Sequence, residues 1–207
     1  MLTALRVGLA TLALAAIGQQ LVIHIGASYS VLNFFSYFTN LSNLFAAVVL
    51  LLSVFSPSFQ RGGAGDVVRY LSTVNMAVVG LVFAVLLRDV DLGALLPWVN
   101  FVLHYVMPVA IVLDWLLKPP TAKLQPQHLA LALVLPVVYL VYVVLRGASV
   151  GWYPYPFLNP AHVGGYGGVA VYGLGIAVTF LLVSWALLVA GNRLRGAHGK
   201  SHAVSSR

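Results

Sequence analysis

Six apolar runs, each long enough to cross a bilayer core, follow one another along this 207-residue chain with only short connectors between them. A spanning helix needs about 20 predominantly apolar residues. Runs of that kind fall roughly at 7–28, 34–56, 69–87, 95–117, 126–146 and 166–190. The bilayer core offers no water, so backbone there must satisfy its own hydrogen bonds, and a helix does so within one segment. The chain is therefore read as all-α. It forms a polytopic integral membrane bundle of six transmembrane helices over residues 1–191, with a basic tail over 192–207 expected to be disordered. At 61% hydrophobic and 7% charged residues it falls outside the soluble globular classes. The first run continues to about Ser28, longer than the core of a signal peptide, and is read as a true span.

Basic residues set the expected orientation. With the N-terminus inside, Arg6, Arg61, Arg69, Lys118, Lys123, Arg193, Arg195, Lys200 and Arg207 lie on the inner side, and only Arg88 and Arg146 on the outer. Nine against two favours N-in and C-in. The net charge of +7 then reflects topology, and no nucleic-acid partner is expected. Cysteine is absent, which removes disulfides, thiolate nucleophiles and Cys-ligated metals. The acids are Asp66, Asp89, Asp91 and Asp114, and Asp114 is expected to pair with a basic residue. His198 and His202 lie in the tail and are given no metal role.

The connectors carry less information. Arg61 to Asp66 is Gly-rich and reads as a flexible loop, while Lys118-Pro119-Pro120 ends the fourth helix. Residues 151–160 are aromatic and proline-rich, fitting an interfacial belt or a lid over a lipid site. Glycines at 164, 165, 167, 168, 173 and 175 suggest close packing of the sixth helix.

Two polar islands interrupt the apolar runs: Tyr37 to Asn43, and Asn100 to Pro108. Polar side chains in hydrocarbon are costly unless they pair, line a cavity or do chemistry. At 1.5 Å per residue, Thr39 lies about 8 Å, His104 about 10 Å and His24 about 6 Å from the outer ends of their helices. Thr39, Ser42 and Asn43 share one helix face, as do Asn100, His104 and Pro108. A hydroxyl and a histidine at one depth suit a nucleophile and its base. Asn40, Asn43 and Asn100 are candidate donors to an oxyanion. Asp89 or Asp91 could orient the base. No cofactor or metal is expected. A non-catalytic lipid or small-molecule binding protein, a transporter, and haem held between His24 and His104 are the competing readings.

Tyr37-Phe38-Thr39-Asn40-Leu41-Ser42-Asn43, together with Pro97-Trp98, Asn100, His104 and Pro108, resembles the androgen-induced and androgen-dependent integral membrane proteins and their bacterial relatives. That resemblance implies about six spans and a threonine-dependent lipid hydrolase acting on fatty acid esters of hydroxy fatty acids. It puts the nucleophile at Thr39 and the base at His104. The compact form of the chain suggests a bacterial inner membrane. The segment after Thr39 is more polar than the animal pattern, so Ser42 is a rival nucleophile. The oligomeric state is not fixed by the sequence.

Overall fold

The computed structural model describes residues 1–61, 63–90 and 95–205, with side chains described to residue 197. Asp91 and the tail side chains of His198, Lys200, His202 and Arg207 lie outside that description. Six helices are long and apolar enough to cross a membrane: α1 (Leu2–Gly26), α2 (Phe38–Phe55), α3 (Gly63–Leu87), α4 (Pro97–Leu117), α5 (Gln127–Val150) and α6 (Tyr166–Ala197). Among the described residues there is no strand. Helix α3 is the most buried of the six and α5 the most exposed.

The boundaries depart from the hydropathy reading in three places. Helix α3 starts at Gly63, so the Gly-rich segment expected to be a loop is helical from that residue on. Asp66 stabilises this first turn: its carboxylate accepts from the backbone N–H of Thr121 at 2.7 Å, the Thr121 hydroxyl at 2.6 Å and the N–H of Ala122 at 3.0 Å. Helix α6 runs on past Asn192 to Ser205. The Asn192 amide exchanges hydrogen bonds with the backbone of Leu124, at 2.9 and 3.0 Å. The run from Phe34 does not form one helix. A short helix, Val31–Phe35, is capped by the Ser30 hydroxyl, and the chain is extended at Tyr37 before α2 begins at Phe38.

That break is held from α5. The Tyr139 hydroxyl donates to the Ser36 carbonyl at 2.8 Å, Tyr142 pairs with the Ser36 hydroxyl at 2.8 Å, and Arg146 donates to the Asn33 side chain at 2.7 Å. Small residues let α1 approach α2, with Ala10, Ala13, Ala16, Ala46 and Ala47 all fully buried. Gly80 does the same between α3 and α4, where a Cβ would stand 3.0 Å from Pro108. The glycine stripe of α6 is used less than expected. Gly173 meets Leu140 of α5, whereas Gly167 and Gly175 face open space.

At the end of the bundle opposite the aromatic loop, Asp114 of α4 joins three helices. Arg6 of α1 donates to it from Nε at 2.7 Å and from Nη2 at 3.0 Å, and Arg69 of α3 donates from Nη2 at 3.2 Å. Arg69 also bonds the Lys118 carbonyl at 2.8 Å and lies over the Trp115 ring. All three charged groups are buried. Removing one member of such a cluster strands the others without a counter-charge. Asp114→Ala is accordingly expected to cost about 3–5 kcal/mol, read as a lowered thermal unfolding midpoint in detergent. An unchanged midpoint would rule out this cluster as a brace between α1, α3 and α4.

Candidate active site between the second and fourth helices

Thr39 is the second residue of α2, and its position in the helix frees its hydroxyl. Hydroxyl side chains inside apolar helices usually bond the carbonyl one turn back. Ser53 does so to Val49, Thr73 to Arg69 and Thr179 to Gly175. Thr39 has no preceding turn of its own helix to bond. Its Oγ1 lies 3.2 Å from Nε2 of His104 instead.

The tautomer of His104 follows from its other nitrogen. Nδ1 lies 3.1 Å from the backbone carbonyl of Asn100. A carbonyl only accepts, so Nδ1 carries the hydrogen and Nε2 keeps its lone pair in the neutral ring. The Thr39 hydroxyl therefore donates to Nε2. The group orienting the histidine is thus a backbone carbonyl; Asp89 is exposed in the turn after α3, and Asp91 lies outside the described residues.

The helix is irregular around His104. Pro108 lies one turn after His104; it has no N–H to give the His104 carbonyl, and its ring crowds that carbonyl. Residues Val102–Val106 open into a π-helical turn, with the Met107 N–H bonding the Val102 carbonyl five residues back. A second π turn, Phe83–Leu87 in α3, places the Phe83 ring flat on His104, with centroids 4.0 Å apart and planes at 22°. Single π turns in α-helices recur at functional sites.

Tyr155, from the aromatic loop between α5 and α6, completes the site. Its Oη accepts from the Thr39 N–H at 3.3 Å and lies 3.5 Å from Thr39 Oγ1. Burial pushes its phenol pKa above the ordinary tyrosine value, so it stays a protonated hydroxyl at neutral pH. The loop segment is packed inward: Tyr155 and Phe157 stack at 5.2 Å with planes at 6°, and both are buried with Leu158. It covers Thr39, as a lid would. Sequence reading had singled out the loop but not this tyrosine, and neither π turn has a composition signal.

The other candidates divide. His24 lines the same chamber as Thr39 and His104, a space of about 380 Å³ walled by Trp152, Tyr155 and their neighbours. Its Nε2 donates to the Ser30 carbonyl at 2.9 Å, and its ring lies against Tyr29 and Phe34. Both nitrogens of His104 are engaged within the protein, which leaves none for haem iron. Asn40 also lines the chamber, but its amide donates to the Phe34 carbonyl at 2.8 Å. Asn43 gives its two amide hydrogens to the carbonyls of Thr39, at 2.9 Å, and Leu103, at 3.2 Å. The amide of Asn43 is thus committed to backbone, Asn40 keeps one amide hydrogen beyond its bond to Phe34 at the chamber wall, and the Asn100 side-chain oxygen is buried without a partner. Ser42 is buried, its hydroxyl has no partner, and it does not line the chamber.

No family model matches the chain, and no curated protein or solved structure does so either.

These placements separate neighbouring residues by their effect on stability. Asn43→Leu leaves two buried carbonyls short of a donor and is expected to destabilise by about 1–3 kcal/mol. Ser42→Ala removes a hydroxyl that bonds nothing and should be neutral or slightly stabilising. Thermal unfolding of the two variants in detergent checks the contrast, and equal losses would refute it.

Proposed function

We propose that this protein is an intramembrane lipid-ester hydrolase with Thr39 as nucleophile and His104 as base. One observation carries the reading: a threonine hydroxyl donates to a histidine whose tautomer is set by a backbone carbonyl, at the wall of a partly open chamber. Nucleophile, base and orienting group stand in the order that activates a hydroxyl. The resemblance of both islands to the threonine-dependent lipid hydrolases supports the same assignment. It extends to fatty acid esters of hydroxy fatty acids as the substrate class.

In the proposed reaction Thr39 Oγ1 attacks the ester carbonyl carbon while its proton passes to His104 Nε2. The tetrahedral intermediate collapses, and the departing alkoxide takes that proton. Water, deprotonated by His104, then releases the acid from the acylated threonine. The oxyanion would be met by donors the sequence did not single out. Tyr155 presents a hydroxyl 3.5 Å from Oγ1. Thr39 and Asn40 also sit in the first turn of α2, whose N–H groups lack partners inside the helix and carry its positive dipole end.

The reading places both termini on the cytoplasmic side of a bacterial inner membrane, with substrate arriving from the outer leaflet beneath the aromatic loop. The chain has no cysteine, so one introduced at Asn159 reports its own side. A membrane-impermeant maleimide should label Asn159→Cys in intact spheroplasts, and labelling only after lysis would reverse the orientation.

A second reading, non-catalytic lipid binding, draws on the covered chamber itself. Lipid that copurifies and is never turned over would favour it. Hydrolysis of lipid esters by purified protein separates the two. Thr39→Ala and His104→Ala should each lower turnover by about 10²-fold or more, and Tyr155→Phe by a smaller factor. Asn100→Ala should retain most of it, because the orienting group is the main chain. A hydrolase-directed phosphonate probe should label Thr39. Unchanged labelling in Thr39→Ala, or loss confined to Ser42→Ala, would overturn the assignment.

A further inference from the structure

A second cavity adjoins the first and is of opposite character. It is an apolar cleft of about 100 Å³ between α2, α3, α5 and α6, and Thr39 and Tyr155 belong to its walls as well as to those of the chamber. Apart from these two and the Tyr139 hydroxyl, its lining is aliphatic, aromatic or glycine. Its outer wall is the seam between α5 and α6, where Pro136, Val137, Gly173, Ile176 and Ala177 line it. That seam faces hydrocarbon: Val137 is half exposed, and Val134, Val138, Leu174 and Val178 beside it are exposed apolar residues. Gly173 keeps α6 close to Leu140 without filling the seam. The chamber on the other side of Thr39 has the polar side chains, among them Gln20, His24, Asn33 and Asn40.

We propose that the cleft is the acyl-chain subsite, entered sideways from the bilayer through the α5–α6 seam, and that the polar chamber receives the alcohol portion of the ester. This rests on the hydrolase reading and divides its substrate in two. Thr39 stands at the junction, where a carbonyl flanked by an alkyl chain and a polar group would lie. Hydrocarbon is the occupant that the lining selects, because a polar group placed there would lose its hydrogen bonds. A lipid acyl chain is also the solvent that faces the seam. The leaving alcohol then departs towards the aromatic loop, while the acid is withdrawn along the chain into the membrane.

The test uses the full-length protein in detergent, with 4-nitrophenyl esters from acetyl to palmitoyl. Ala177→Leu narrows the cleft. Gly173→Ala is a milder second variant, whose Cβ meets only the flexible end of Leu140 at 3.2 Å. The loss in kcat/KM should grow with chain length, reaching at least about tenfold for palmitoyl relative to acetyl. Val178→Leu, on the lipid-facing side of the same helix, should leave the profile of the unaltered protein. A chain-length profile that neither cleft variant alters would overturn the subsite while leaving the hydrolase. As a readout independent of turnover, a palmitoyl ester tipped with a diazirine is photolysed in the protein and the adducts are mapped by mass spectrometry. Adducts at Ile176 and Ala177 support the subsite, and adducts confined to Leu174 and Val178 overturn it. Adducts in the cleft without hydrolysis of any ester would keep the acyl site and sink the hydrolase.

Discussion

The Asn43 amide sets the register of the site. It donates one hydrogen to the Thr39 carbonyl on its own helix and the other to the Leu103 carbonyl on α4. Leu103 immediately precedes His104, so the bond fixes the height of the histidine against the threonine one turn before Asn43. Sliding α2 along α4 would strand the Leu103 carbonyl, which takes its donor from the other helix. The 3.2 Å contact between Thr39 and His104 depends on that clamp. So does the covered chamber, whose wall those two side chains form.

Charge and chemistry are kept at opposite ends of the bundle. Asp114 ties α1, α3 and α4 through two arginines at one end. At the other, no carboxylate among the described residues lines the chamber, and the histidine is oriented by a backbone carbonyl. A buried carboxylate beside His104 would favour its charged form, in which Nε2 is protonated and cannot accept from a hydroxyl. A carbonyl fixes the ring equally well without adding a charge in a medium where charge is expensive. His104 itself lies in a π turn, and the proline at the fourth position after it leaves the His104 carbonyl without its usual helical donor.

Length and hydropathy made the six spans legible, because crossing a membrane demands a long apolar helix whatever its side chains do. The pairing of Thr39 with His104 was legible from depth and spacing, since both fall near the starts of spans read as running in the same direction. What could not be read depended on other parts of the chain. Hydropathy carried the second span through from Phe34, while hydrogen bonds from Tyr139 and Tyr142, about a hundred residues away, stabilise the break at Ser36 and Tyr37. Asn43 looked like an oxyanion donor because a sequence shows its amide and not the two carbonyls that occupy it. Arg6 and Arg69 were counted as charges at a membrane surface, yet both are buried against Asp114. Ser42 drew notice by lying beside Thr39, and its helical phase turns it away from the chamber.

The break at Tyr37 also connects the outermost helix to the chemistry. Were α2 continuous from Phe34, Thr39 would have a carbonyl one turn behind it and the usual reason to bond it. Its N–H would be spent in the helix as well. Because α2 starts at Phe38, the hydroxyl is available to His104 and the N–H to Tyr155. The start is held by tyrosines on α5, the helix least buried in the bundle, and Arg146 of α5 both bonds Asn33 and lies over Trp152 of the aromatic loop. A shift of α5 would therefore reach the first turn of α2, the loop over Thr39 and the wall of the apolar cleft together. On that geometry the helix least buried in the bundle touches the break before Thr39, the loop over it and the cleft beside it.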